Sequence, residues 1–168
     1  MKKEGIIALG WTVLAFCIGI FLVVRESSSN VQSIFYGRLP EFHLIDTQGQ
    51  DFNYNDIIGK IWVVQFSNDP LADFPELPSG VEALTILTNS SQIKMKHSNS
   101  KIVHSDKGSI FQLGMEGFHL SEKLLEEGHS IPFILVDKTG NIRGYYQPDK
   151  DKDIKKLSRD IDSLLQFS

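Results

Sequence analysis

The chain has 168 residues, enough for one domain with a real core. Its formal charge is -4, and no Lys/Arg run or basic stripe marks it as a nucleic-acid binder. Its single cysteine, Cys17, rules out an internal disulfide.

The first predicted element is an apolar segment. Gly5 to Val24 carries no charged residue and includes Trp11, Phe16 and Phe21. That is about 20 residues, the length that spans a hydrocarbon core of about 30 Å as a helix. Lys2 and Lys3 precede it and Arg25-Glu26 follow. The positive-inside rule therefore predicts residues 1–4 in the cytoplasm, a transmembrane helix over 5–24, and the rest outside the cytoplasm, on the periplasmic side. A cleaved signal peptide is the competing reading. Its apolar region is usually about 7–15 residues, followed by a small-x-small site. Val23-Val24-Arg25-Glu26 offers none, which favours an uncleaved single-pass anchor. Cys17 lies inside this segment. Leu14-Ala15-Phe16-Cys17 has the outline of a lipoprotein box, but Phe16 is bulky and the apolar run continues past the cysteine, so Cys17 reads as a small apolar residue of the helix.

Without Lys2, Lys3 and Glu4, the 17 basic and 21 acidic residues become 15 and 20 from Arg25 onward, a formal charge of -5. This exported part has no thiol and hence no thiolate nucleophile. Residues 25–38 read as a linker, with Ser27-Ser28-Ser29-Asn30 polar throughout, and 39–168 as the domain. Phe42 and Leu44 suggest a short strand, Thr47-Gln48-Gly49-Gln50 a turn, and Asp51 to Tyr54 the returning strand. Asp56 to Lys60 reads as one helical turn stopped by Gly59. Ile61 to Phe66 is apolar nearly throughout, as a central strand covered on both faces would be.

Ser67 to Gly80 holds Pro70, Pro75 and Pro78 and is predicted irregular at least in part. Val81 to Leu87 fits a helix or a strand. Asn89 to Ser100 is polar, Lys101 to His104 suggests a short strand, and Ile110, Leu113 and Phe118 give near-helical spacing. Phe133 to Val136 is an apolar block, Asp137-Lys138-Thr139-Gly140-Asn141 is turn chemistry, and Ile142 to Tyr146 is β-prone, so a hairpin is expected with His129 at its entrance. From Asp149, Ile154, Leu157, Ile161, Leu164 and Leu165 mark an amphipathic helix. The order of elements suggests an α/β sandwich.

Leu39-Pro40-Glu41-Phe42-His43-Leu44 with Gly49, then Gly59-Lys60-Ile61-Trp62-Val63-Val64, resembles the opening of membrane-anchored thioredoxin-fold proteins. Ile110-Phe111-Gln112-Leu113-Gly114 with Gly117-Phe118 resembles the Sco/SenC family. So does His129-Ser130 followed by Phe133-Ile134-Leu135-Val136-Asp137, Gly140 and Ile142 to Tyr146. The resemblance runs from about Leu39 to Leu165 and is poor between Ser67 and Ser105. It implies a thioredoxin-like fold, a central mixed β-sheet flanked by helices behind a membrane anchor, and a part in assembling the copper centre of cytochrome c oxidase. The family binds copper through a CxxxCP motif after the first core strand and a distant histidine before a late strand.

His129 falls on that histidine, and the cysteines are missing. If Phe66-Ser67 ends the first core strand, Asp69 and Asp73 stand at the two cysteine positions. In the other alignment, Ser67 to Glu76 corresponds to the family's later S-x-x-D-P-x-x-D-x-P-E segment and the cysteine loop with its helix is deleted. The prolines and acids favour this second alignment slightly.

Soft Cu(I) prefers thiolate and thioether, and a tight site needs about three or four converging ligands. Met95, His97, His104, His119, Asp69 and Asp73 could join His129, but no HxH or HxxxH spacing groups them. The bland readings are solvated His97 and His104, a His119 bordering the short helix, turn roles for Asp69 and Asp73, and an inherited structural His129. Ile131-Pro132 stands one residue from where thioredoxin folds often carry a cis-proline, and cis bonds are only about 5–6% of X–Pro bonds.

The expectation is a membrane-anchored Sco-like protein without thiol chemistry. It would be no enzyme, and would act as a binding or accessory factor in respiratory oxidase assembly. Its partners would be the membrane and an oxidase subunit or a cysteine-bearing Sco-like protein. The alternative is a copper carrier using His129 with non-cysteine ligands. A thiol-disulfide oxidoreductase or peroxidase lacks its cysteine in the exported domain.

Overall fold

The computed structural model describes residues 35–69, 74–88, 100–127 and 131–166. The segment 5–24 lies outside them, and no helix among the described residues is long and apolar enough to cross a membrane.

Among the described residues eight strands form one sheet in the order β1-β8-β7-β4-β5-β6-β2-β3. β1 is Gly37–Arg38, β2 His43–Asp46, β3 Asp51–Asn53, β4 Ile61–Ser67, β5 Val81–Leu87, β6 Ser100–His104, β7 Phe133–Val136 and β8 Asn141–Tyr146. The helices are α1 (Tyr54–Ile57), α2 (Lys107–Gln112), α3 (Glu122–Glu127) and α4 (Asp151–Gln166), with a π-helical turn at Leu113–Gly117. β4 lies between a parallel partner, β5, and an antiparallel one, β7. β5 pairs in parallel with β6, and β7 forms the expected hairpin with β8. The mixed sheet with helices fits the α/β, thioredoxin-like expectation.

Alternation along β4 sends Trp62, Val64 and Phe66 to one face and Ile61 and Val63 to the other. The first face packs against Ile110, Leu113, Phe118 and Leu125 from α2, the π turn and α3. The second packs against Leu157 and Ile161 of α4, with Phe74 and Leu77 beside them. Each such Phe or Leu, once fully buried, contributes roughly 1.5–3 kcal/mol. The Trp62 indole N–H donates to the Ile57 carbonyl at 3.1 Å, so the buried ring leaves no orphan donor.

Three local expectations change. Val81 to Leu87, undecided in sequence, is a strand, since β4 and β6 hydrogen-bond to both of its edges. Gly37–Arg38, expected to end a linker, pairs with Ile142 and Asn141 of β8. α3 was not anticipated, although Ser121 supplies a cap, its Oγ accepting from the Leu124 N–H at 3.3 Å.

Candidate functional site

Because β4, β5 and β6 are parallel, their carboxyl ends meet at one edge of the sheet. Antiparallel β7 begins at that same edge, with Ile134 paired to Val64. In open α/β sheets the crevice outside the carboxyl ends of the strands is the usual ligand site.

The chain leaves β4 through a turn in which the Asp69 N–H donates to Ser67 Oγ at 2.9 Å. The Thr88 N–H donates to the Ser67 carbonyl at 3.0 Å, which carries the β4–β5 pairing one step further. The Thr88 hydroxyl donates to Asn68 Oδ1. Beyond β6, Asp106 caps α2. Its Oδ1 accepts from the Ser109 N–H at 3.0 Å, and its Oδ2 accepts from the Ser109 hydroxyl. The bond from the Ser109 hydroxyl, followed by that from the Ser109 N–H, holds the Asp106 carboxyl below its usual pKa. Lys107 Nζ lies 5.0 Å from the centroid of the Phe111 ring.

Asn68, Thr88, Asp106, Lys107 and Phe111 line a cleft of about 440 Å³ together with Leu125 and Glu126 of α3. Sequence reading missed it, because its residues come from four separate stretches. The one local signal is Asp106 three residues before Ser109, an N-cap pattern.

The sequence-predicted ligands are only partly placed. Asp69 stands at this edge, exposed, two residues after β4. His129, Asp73, Met95, His97 and Cys17 lie outside the described residues. His104 ends β6 opposite Ile45 of β2. His119 follows the π turn at positive φ, 53°. The structure does not bring Asp69, His104 and His119 together, and no group of three or more potential ligands that could hold a metal occurs among the described residues. The described donors are oxygens, scattered imidazoles and the lone exposed thioether of Met115, with no thiolate among them, and this set does not fit copper(I). Ile131-Pro132 is a trans peptide.

No family model matches the chain. No curated protein matches it either. Solved structures do. BsSco, a member of the Sco family of cytochrome c oxidase assembly proteins, superposes with a TM-score of 0.62 at 13% identity, over 82% of this chain and 98% of that one. A SCO1/SenC family lipoprotein from Bacillus anthracis gives 0.57 at 17% identity, over 76% and 95%. Yeast Sco1 with copper bound gives 0.55 at 14% identity, over 76% and 95%. The described part of the chain has the fold of the Sco/SenC proteins.

Proposed function

We propose that the chain is a divergent Sco-like protein, held in the membrane by residues 5–24 with its domain outside the cytoplasm. It acts by binding, without redox chemistry, as an accessory factor in cytochrome c oxidase assembly. One observation carries this reading: a Sco-like fold spanning nearly the whole length of BsSco lacks cysteine from Arg25 onward. Strand order supports the alignment that places Asp69 and Asp73 at the cysteine positions. β4 is the first strand of the central set and β5 its parallel successor, so the connection 68–80 is the one that would carry the motif. Carboxylates there are hard donors and cannot cycle between thiol and disulfide.

Titration of the full chain in detergent with Cu(I), Cu(II) and Zn(II), beside His129→Ala, separates the two readings. The accessory reading expects no tight one-to-one binding by either protein. Tight binding lost in His129→Ala would replace it with the carrier. Copurification from membranes is expected to yield an oxidase subunit or a cysteine-bearing Sco-like protein.

A further inference from the structure

The cleft at the carboxyl ends of β4, β5 and β6 carries charges that the oxidase reading does not use. Lys107 and Glu126 both line it, yet neither forms an ion pair among the described residues, with each other or with a third group. Asn68 accepts from Thr88 through Oδ1, and this turns its amide N–H₂, which has no hydrogen-bond partner among the described residues, away from Thr88. The lining thus offers a cation and amide donors, together with a carboxylate that is unpaired among the described residues. Phe111 and Leu125 add apolar wall between polar groups.

The charge balance selects the ligand. A plain anion would be drawn to Lys107 but repelled by Glu126 and Asp106. A plain cation would meet the reverse. A molecule carrying both charges satisfies each separated group at once. The volume, about 440 Å³, lies in the lower half of the usual range for small-molecule sites.

We propose that this cleft binds a small zwitterion of the amino-acid type. Its carboxylate is held by Lys107 and the Asn68 amide, its ammonium by Glu126, and its apolar side chain by Phe111 and Leu125. The site does not depend on the metal chemistry of the family or on the oxidase reading.

Calorimetric titration of the full chain in detergent tests this with three probes: L-leucine, L-leucinamide without the carboxylate, and N-acetyl-L-leucine without the ammonium. L-leucine is expected to bind, and each derivative to bind about tenfold or more weakly, the loss typical of one charge-assisted hydrogen bond. Lys107→Gln should erase the preference over leucinamide, and Glu126→Gln the preference over the acetylated form. Both side chains are exposed, so neither change disturbs the core. Absence of leucine binding up to about 10 mM, a very weak affinity, overturns the proposal. So does equal binding of all three probes, or discrimination that both variants keep.

Discussion

Thr85 and Gln65 are register partners on β5 and β4, and each buries a side-chain oxygen with no hydrogen-bond partner among the described residues. Thr85 is fully buried. A hydroxyl in that position keeps the cost of leaving water and gains nothing in return. Val has the same shape without the oxygen. Thr85→Val is therefore expected to stabilise the fold by about 1 kcal/mol in denaturant unfolding. A loss of stability instead would mean that a bound water serves the hydroxyl. His119 holds local backbone strain. It takes a positive φ at the end of the π turn, where the Leu120 N–H donates to the Gly114 carbonyl at 2.9 Å. Its ring lies against Gly37, where an added Cβ would stand 2.6 Å from Nε2. Only glycine fits there, because Gly37 also sits at φ 145°.

At the scale of elements, the β4–β5 connection is unusual. Parallel strands normally need a crossover, most often a helix. Here its described residues, 68–69 and 74–80, are not helical. Phe74 and Leu77 from this stretch nevertheless pack on the same face as α4, and Phe74 stacks at 5.4 Å on Phe133. Pro75 and Pro78 account for the absence of a helix there, since each removes an N–H and restrains its predecessor. α4 is docked by more than its apolar stripe. The Tyr146 hydroxyl donates to Asp160 Oδ2 at 2.6 Å, and Lys156 reaches the same oxygen. Burial, then this hydrogen bond, raises the tyrosine pKa well above its usual value. The ring lies across Gly144, where a Cβ would come within 2.6 Å of Cζ. Gly144→Ala should therefore push Tyr146 off its partner and cost about 1–3 kcal/mol in denaturant unfolding, the usual penalty of overpacking. In a Tyr146→Ala background the same substitution should cost almost nothing, because the ring it strikes is gone.

For the whole molecule, two carboxylates link stability to pH. Asp46 is buried at the β2–β3 turn. Its Oδ1 accepts from the N–H groups of Gln50 and Gln48 at 2.9 and 2.8 Å, and Lys101 lies 3.2 Å from Oδ2. The Gln50 bond leads in lowering its pKa, against the opposing effect of burial. Asp106 is lowered by its cap bonds to Ser109. A carboxyl depressed in the folded state stabilises fully above its unfolded pKa, about 3.9, and loses that contribution as pH falls through the folded value. Thermal unfolding should therefore show little change from these groups between about pH 7 and 5 and a decline below about 4. Asp46→Asn combined with Asp106→Asn should flatten that decline. An unchanged acid slope would show that neither carboxylate carries it.

The sequence by itself determined the strands that sit beside their own turn signals. Asp137 and Gly140 specify the β7–β8 hairpin through the Asp137 carboxylate, which accepts from the Thr139 and Asn141 N–H groups. The three- and four-residue spacing of Ile154, Leu157 and Ile161 specifies the apolar stripe of α4. Periodicity and turn chemistry, which act over a few neighbours, reached only an α/β sandwich, and the thioredoxin-like fold was implied by the resemblance of Leu39 to Val64, Ile110 to Phe118 and the hairpin to known families. Only the tertiary structure decided that Val81 to Leu87 is a strand, since its hydrogen-bond partners lie far away in sequence. It also decided the candidate site. Asn68, Thr88, Asp106 and Glu126 share no spacing, and they meet only because three parallel strands end at one edge of the sheet.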